Sequence, residues 1–599
     1  MSRRPQRSVI TRRALVFGAA LLLLGSLTWP LLFTHSGFAG DWNHHLWLMW
    51  HQSIALESND FPSFFLNSSY SVFYPTYAFY GGTVYAVGGL LTLLLGAPVS
   101  AYVLIYVLDF AAAFGGWYWL GRMAGVGRWL AMIPGLVFIS SAYYILVAYP
   151  QGDWPELTAI STISLMLAAA LSVLRAKRLR LAPALALAIS SILFFGSHNI
   201  TIMLGLTTFV LAGVAVLLFI PEARQALTRR GVARVSAIVV PGAMVSAWYL
   251  LPTLAYHSST RIDSEYGQAR AELTGNVSLV ALQHLFTFSR TAAPGMSLPA
   301  LAIVWVLAAI VLLPRASHNR TWVRMLLISS AISLLAAIAM THPSLLLDLP
   351  RPYTLIQYSY RLEAYVLLGL CGAILAALVL ARSHSGRVSG QAASRPVRVR
   401  VWVWMAIPVC AASLGGAIYQ IGEFPYPGTD RYTTLEYFGE VETGDNRDFQ
   451  DVSQPVIPGQ RLASVSIPPE SVHGDRASFS TSKPPGTLLA TNIGGGSNLV
   501  ALTGAKDVGV DSQTGNMVIQ VGAASPGAPS TGEHTISVAT ASNLPIVLGR
   551  VLTLLGLAIL VLELLGLLAL RLRARLSTDG TSDGAQRDRQ SELVDRVPL

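Results

Sequence analysis

Residues 73–82 read Phe73-Tyr74-Pro75-Thr76-Tyr77-Ala78-Phe79-Tyr80-Gly81-Gly82, and an apolar run continues from them to residue 96. Whether 77–96 crosses a bilayer or only dips into it fixes which side every later loop faces. The stretch is aromatic and is broken by Pro and Gly. Tyr and Trp favour the membrane interface. Interrupted backbone survives at membrane depth only when it packs on protein or lines a cavity. These features predict a re-entrant or interfacial segment.

The placement of positive charge agrees. Thirteen apolar segments lie at 14–33, 77–96, 98–120, 129–148, 157–174, 181–197, 199–220, 235–254, 298–314, 325–341, 362–381, 401–419 and 546–570. Basic loops follow at Arg122/Arg128, Arg175–Arg180, Arg224–Arg234, Arg315–Arg324 and Arg382–Arg400, and near Arg571. If 77–96 crosses, all of them lie opposite the basic N-terminus (Arg3, Arg4, Arg7, Arg12, Arg13). If it dips, 29 of the 41 Lys+Arg share the cytoplasmic side, and 34–99, which has none, faces outward. Basic loops stay in the cytoplasm. The expectation is a polytopic α-helical membrane protein with about 12 crossing helices, one re-entrant or interfacial segment and both termini inside.

Composition excludes other classes. The 599 residues are 53% hydrophobic and 12% charged, with mean hydropathy +0.52. Soluble domains carry about 25% charged residues, so neither a soluble enzyme nor a disordered chain fits. The net charge of +10 belongs to cytoplasmic loops and does not indicate nucleic acid. Cys371 and Cys410 fall in apolar spans and offer no disulfide framework or zinc cluster. The first apolar run is long enough to cross a bilayer and reads as an uncleaved helix rather than a signal peptide.

Segment 420–545 is a different kind of sequence, rich in Gly, Ser, Thr and Val. Alternation at 462–467, 517–521 and 534–538 predicts short strands of an extracytoplasmic β-sandwich. Gly494-Gly495-Gly496 reads as a loop. The domains expected are a transmembrane domain over 1–419, the β-rich domain over 420–545, a final helix over 546–570 and a disordered cytoplasmic tail over 571–599. Residues 383–396 read as a flexible cytoplasmic loop.

Acids are scarce before residue 420, so their positions are informative. Asp41 follows the first helix in Gly40-Asp41-Trp42-Asn43-His44-His45. Asp153 and Glu156 stand in Gln151-Gly152-Asp153-Trp154-Pro155-Glu156, at the outer mouth of the next bundle helix. Carboxylates at the rim of an apolar bundle suit general-base work. Loop acids that cap helices are the plainer reading. His44, His45 and His51, with His198 in Ser197-His198-Asn199, form a second group. With Asp41 they can hold a divalent metal, but interfacial histidines more often hydrogen-bond, and no metal is assigned. A third group is cationic. Arg261, Arg270, Arg290, Arg351 and Arg361 lie on outward segments, where a guanidinium grips a lipid phosphate with two prongs or simply reaches the interface. Asp109 and Glu563 are acids within spans, and Asp109 either lines an ion path or pairs with a hydroxyl.

An acid just after the first helix, a long first external segment, an aromatic-Pro motif and a second external acid together resemble the GT-C class of integral-membrane glycosyltransferases. The local match, over Gly40–Gly82, Gln151–Glu156, Ser197–Asn199 and Gln357–Glu363, is to the bacterial membrane family labelled 6-pyruvoyl-tetrahydropterin synthase-related. The resemblance implies a base or orienting role for Asp41, and the second-loop acid maps to Asp153 or Glu156. It implies a polyprenyl-phosphate sugar as donor and a glycan or glycolipid acceptor at the outer face of the cytoplasmic membrane. Here Asp41 is followed by Trp42 rather than a second acid, and Tyr74-Pro75-Thr76 carries no lysine. One of Arg261, Arg270, Arg290 or Arg361 is therefore expected at the phosphate. His198 is expected to orient substrate. Trp42, Tyr74, Tyr77 and Trp154 are expected to stack on sugars, with His44, His45, Tyr360 and Glu363 completing the binding set. Two other readings remain open: a transporter or flippase, and a non-catalytic scaffold with a glycan-binding ectodomain.

Overall fold

In the computed structural model of the chain, the described residues are 4–33, 41–58, 62–68, 71–261, 300–312, 319–342, 344–350, 353, 356, 358–385, 405–423, 454–458, 462–473, 475–522 and 533–579. Within the described residues, each of the thirteen expected apolar segments is largely helical. The helices used below are α1 (Arg4–Phe33), α2 (Trp42–Glu57), α3 (Thr76–Phe79), α4 (Gly82–Leu95), α5 (Pro98–Met123), α6 (Ile133–Ile139), α7 (Ala142–Leu146), α8 (Trp154–Arg175), α9 (Leu181–Phe195), α10 (Asn199–Phe219), α11 (Arg229–Met244), α12 (Ala247–Tyr256), α13 (Ala300–Leu312), α14 (Arg320–Thr341), α15 (Glu363–Ser385), α16 (Ala406–Glu423) and α17 (Leu544–Asp579).

Among the described residues, seven helices are long and apolar enough to cross a membrane. Two bent pairs raise this to nine: the segment through α6 and α7, bent by 49°, and the segment through α11 and α12, bent by 66°. The shorter apolar helices α4, α9, α13 and α16 are the remaining expected segments. The stretch 73–82 is broken as its sequence predicts. Pro75 precedes the single turn α3, and Gly81 (φ +57°) separates it from α4. At about 1.5 Å per residue, α4 is ~21 Å long, short of the roughly 30 Å hydrocarbon core. It packs on α2 through Gly88 and Gly89, where a Cβ would lie 2.5 Å from Met49 and 2.8 Å from Gln52.

Small residues and hydroxyls close the other helix seams. α5 meets α8 where a Cβ on Gly116 would lie 2.3 Å from the Leu165 backbone. Nearer the start of α8 the Thr158 hydroxyl donates to Asp109 at 2.8 Å, the hydroxyl contact that was one of the two readings of this acid. α17 docks along Gly549, Thr553 and Gly556, one face of the helix. Thr553 accepts the Trp248 N–H at 3.0 Å and lies 3.2 Å from the Met244 and Val245 carbonyls. It thereby satisfies backbone groups freed by the bend between α11 and α12.

The β-rich segment folds into two sheets. The five-stranded sheet has the order β1 (Val456–Ile457), β6 (Ala505–Asp511), β7 (Met517–Val521), β4 (Leu488–Ala490), β2 (Ala463–Ser464). The three-stranded sheet has the order β3 (Arg476–Thr481), β8 (His534–Thr540), β5 (Val500–Thr503). β1–β6 and β2–β4 are parallel, and the other pairs are antiparallel. Two expected strands appear as β7 and β8. The third shrinks to β2, and β1, β3, β4, β5 and β6 were not foreseen. The final helix continues to Asp579, beyond the expected 570. Arg270, Arg290, Arg351, the loop 386–404 and the tail from 580 lie outside the described residues.

Candidate active site

Two helix N-termini meet directly at one end of the bundle. Asp41 stands at the N-cap of α2, and its backbone N–H donates to the Gln151 carbonyl at 2.7 Å. Gly152 makes the approach possible. Its φ is +67°, and a Cβ there would lie 2.8 Å from the Trp42 nitrogen. The next residue, Asp153, is the N-cap of α8 and accepts the Glu156 N–H at 3.1 Å. A cap of this kind contributes about 1 kcal/mol.

The spacing Asp153-x-x-Glu156 matches a capping box, in which the second acid turns back to the cap N–H. Glu156 does not do this. One of its oxygens accepts the Tyr143 hydroxyl, and the other lies 3.3 Å from Arg361 Nε. Arg361 Nη2 also lies 3.7 Å from Asp153 Oδ2. Tyr80, from the opening stretch, donates to Asp153 Oδ1 at 3.3 Å, and His45 Nε2 is 3.8 Å from the same oxygen. Asp153, Glu156 and Arg361 are all buried, whereas Asp41 keeps its side chain open to water. The surrounding protein mass, and then the Asp153 carboxylate, raise the Asp41 pKa above its ordinary value. Three carboxyl groups thus gather around one guanidinium.

His198 is buried ahead of α10. Its Nδ1 lies 2.8 Å from the Thr201 hydroxyl and 3.3 Å from the Thr201 N–H. Burial, and then the Arg361 charge, lower its pKa to about 3, so the ring is neutral at physiological pH. Burial likewise keeps His45 neutral, and its Nδ1 is hydrogen-bonded to the Tyr85 hydroxyl at 2.5 Å. His51 lies apart from the cluster. It accepts the Asn67 N–H at 3.2 Å, and burial lowers its pKa to about 4.

Asp153, Glu156 and His198 bring ligand atoms within 4.8 Å of one another. Two carboxylates and an imidazole are a chemically suitable set for a divalent ion. One observation opposes it in this arrangement: Arg361 already supplies a cation to both carboxylates. The residues present do not fit a metal without rearrangement, and no step below uses one.

The remaining expected residues divide into two groups. His44 is half-buried beside Asp41. Tyr360 is buried and accepts a hydrogen bond from Gln151 Nε2, and it stacks on Tyr358 at 5.1 Å. Trp42, Tyr74, Tyr77 and Trp154 are instead core side chains. Trp154 packs edge-on to Tyr85 and Tyr102, and Tyr77 stacks on His51. Their burial leaves no ring face for a sugar. Glu363 is fully buried, and among the described residues neither of its oxygens has a hydrogen-bond partner. Arg261 is half-buried in the turn after α12. Tyr80, Tyr143, Gln151 and Tyr358 were not foreseen. Tyr80 stood in the opening stretch, where its position before Gly81 marks a chain reversal. Tyr143 carried no signal, because it reaches Glu156 only through the bend that joins α7 to α8.

Among solved structures, the chain is similar to the arabinofuranosyltransferase AftD from Mycobacteria (16% identity, TM-score 0.43, 75% of this chain and 30% of that one). It is also similar to the oligosaccharyltransferase of Archaeoglobus fulgidus (13%, 0.43, 76% and 62%). A third is ArnT from Cupriavidus metallidurans, bound to undecaprenyl phosphate (13%, 0.29, 87% and 99%). The chain spans less than two thirds of either of the first two. No curated protein matches it by sequence. The model of one membrane-protein family, described as the 6-pyruvoyl-tetrahydropterin synthase related domain, matches residues 77–419, and the chain belongs to that family.

Proposed function

We propose that the chain is a membrane glycosyltransferase of the inverting type. It takes a sugar from a polyprenyl-phosphate donor and transfers it to a cell-envelope glycan or glycolipid on the outer face of the cytoplasmic membrane. The observation that carries this reading is the contact of Asp41 with the Gln151–Asp153 turn. It joins the two acids of the resemblance with His198 and Arg361 in one polar cluster, the acid hollow of this reading. With α4 as the dipping segment and both termini cytoplasmic, the hollow and the β-rich domain share the outer side.

Asp41 is the base in this reading, because it is the one acid of the three that is open to solvent and is not committed to Arg361 at ion-pair distance. It takes the proton from an acceptor hydroxyl as that oxygen bonds to the anomeric carbon. The bond from that carbon to the phosphate oxygen breaks, and polyprenyl phosphate leaves with the electron pair. Asp153 and Glu156, fixed by Arg361, Tyr80 and Tyr143, orient sugar hydroxyls, and His198 Nε2 hydrogen-bonds to one of them. Arg361 is engaged by two carboxylates, so the donor phosphate falls to Arg261, Arg270 or Arg290. The open ring at the hollow is Tyr80, which is half-buried.

The test is complementation of cells lacking the chain with Asp41→Asn and with Asp109→Asn at equal membrane levels. Sugar transfer predicts that Asp41→Asn fails and Asp109→Asn works. Transport along the bundle predicts the reverse.

A further inference from the structure

The β-rich domain touches the first external segment at several points, and all of them converge on the strand of chain that ends at Tyr80. Asp475 is buried in the β-rich domain. Its carboxylate accepts the Ser63 hydroxyl at 2.8 Å and lies 3.4 Å from the Phe64 N–H, more than 400 residues away in sequence. Arg550, at the start of α17, covers the Phe64 ring at 4.7 Å. Val72 pairs with Ile493, with its N–H donating to the Asn492 carbonyl and its carbonyl accepting the Gly494 N–H, both at 2.8 Å. Gly494 and Gly495 fit against this strand only because they lack side chains. A Cβ would lie 2.3 Å from Ser71 Oγ at the first and 2.7 Å from the Phe73 carbonyl at the second.

Backbone strain is concentrated at the same place. Among the described residues, only two non-glycine residues have positive φ, Phe73 at +54° and Asp475 at +48°. One lies on each side of this interface. Such conformations cost on the order of 1–3 kcal/mol and persist where surrounding structure holds them. Beyond Phe73 the chain turns through Pro75 and α3. Asn199 Nδ2 and the Thr253 hydroxyl hold the Phe79 and Ala78 carbonyls at 2.7 Å each. Tyr80 then meets Asp153.

We infer that Asp475 is a positioning residue for the acid hollow. Through Ser63 and Phe64 it fixes the first external segment, which in turn sets Tyr80 against Asp153. The β-rich domain is thus a clamp on the membrane-side hollow as well as an ectodomain. The kinetic part of this inference rests on the sugar-transfer reading, and the structural part does not.

The test uses the full chain in nanodiscs. Hydrogen exchange over residues 62–80 is compared for wild type, Asp475→Ala and Ser63→Ala, alongside kcat and KM for transfer. The expected result is exchange about tenfold faster in that segment, with α5 and α8 unchanged, and a fall in kcat of similar size with KM retained. Ser71 and Asn516 side chains meet across the same interface. Adding Ser71→Cys and Asn516→Cys, oxidised to a disulfide, to Asp475→Ala is expected to restore slow exchange and kcat together. Unchanged exchange over 62–80, or faster exchange with wild-type kcat, overturns the inference. So does a cross-link that restores exchange without restoring kcat. If Asp475→Ala does not accumulate, Ser63→Ala decides by the same readouts. A wild-type chain without transfer activity sinks the sugar-transfer reading alone, because exchange and cross-linking still decide the clamp.

Discussion

Asp41 and Arg361 occupy opposite situations, and their substitutions separate chemistry from stability. Asp41 has a pKa raised in the folded state above the ordinary 3.8. The folded chain therefore holds that proton more tightly than the unfolded chain does. The stability this contributes is present at low pH and is lost as pH rises through the folded value. At neutral pH the ionised group costs stability. Asp41→Asn is expected to lower kcat by roughly 10²–10⁴-fold while Tm stays level or rises, as thermal unfolding in detergent would reveal. The same shift predicts an acid limb of kcat/KM with a midpoint above 3.8, rising with pH because the base must be ionised. Arg361→Ala is expected to leave two buried carboxylates unpaired and to destabilise by about 3–5 kcal/mol. A variant that unfolds at the wild-type temperature would refute that placement. At this scale the sequence exposed the acids and Arg361, because charge is rare in an apolar chain. It concealed their pairing, since Arg361 and Asp153 are more than 200 residues apart. It also misled on the aromatics: Trp42, Tyr77 and Trp154 carry the composition of a sugar platform, yet burial of their large rings in the core is the stronger tendency.

Two local geometries each depend on one small residue, and the first of them closes the acid site. The turn before α8 needs Gly152, where φ is positive and the Trp42 backbone leaves no room. Gly152→Ala is expected to cost more than about 1 kcal/mol and to reduce transfer more than it reduces Tm, since it pushes α2 from α8. The bend between α11 and α12 needs Thr553. Thr553→Val removes a hydroxyl shared by three backbone groups and is expected to destabilise by ~1–3 kcal/mol, measured as a lower Tm with Asp41-dependent activity retained below it. Helix existence was legible in the apolar runs. The bends were less so, because Ser140-Ser141 and Val245-Ser246 break helices whose hydropathy continues without interruption. Strands in the β-rich segment were legible at β7 and β8, whereas equal alternation over 462–467 forms a strand only at β2.

For the whole molecule, positive charge predicts orientation. A cysteine placed at exposed Ser478 on β3 is expected to react with a membrane-impermeant thiol reagent in intact cells. One placed at Lys177, in the loop after α8, is expected to react only after permeabilisation. Reversal of that pattern would put the hollow on the cytoplasmic side, where polyprenyl-phosphate sugars are not the expected donors. The class of fold was legible from composition, and the parity of the charged loops supplies the orientation that this labelling tests. The clamp formed by the β-rich domain was not, because a contact between Ser63 and Asp475 leaves no trace in local sequence. The most direct measurement of the central claim is mass spectrometry of envelope glycans and glycolipids from cells making wild type or Asp41→Asn at equal levels. The account predicts that one species shortens by the mass of a single sugar residue in the variant. Identical profiles would contradict it.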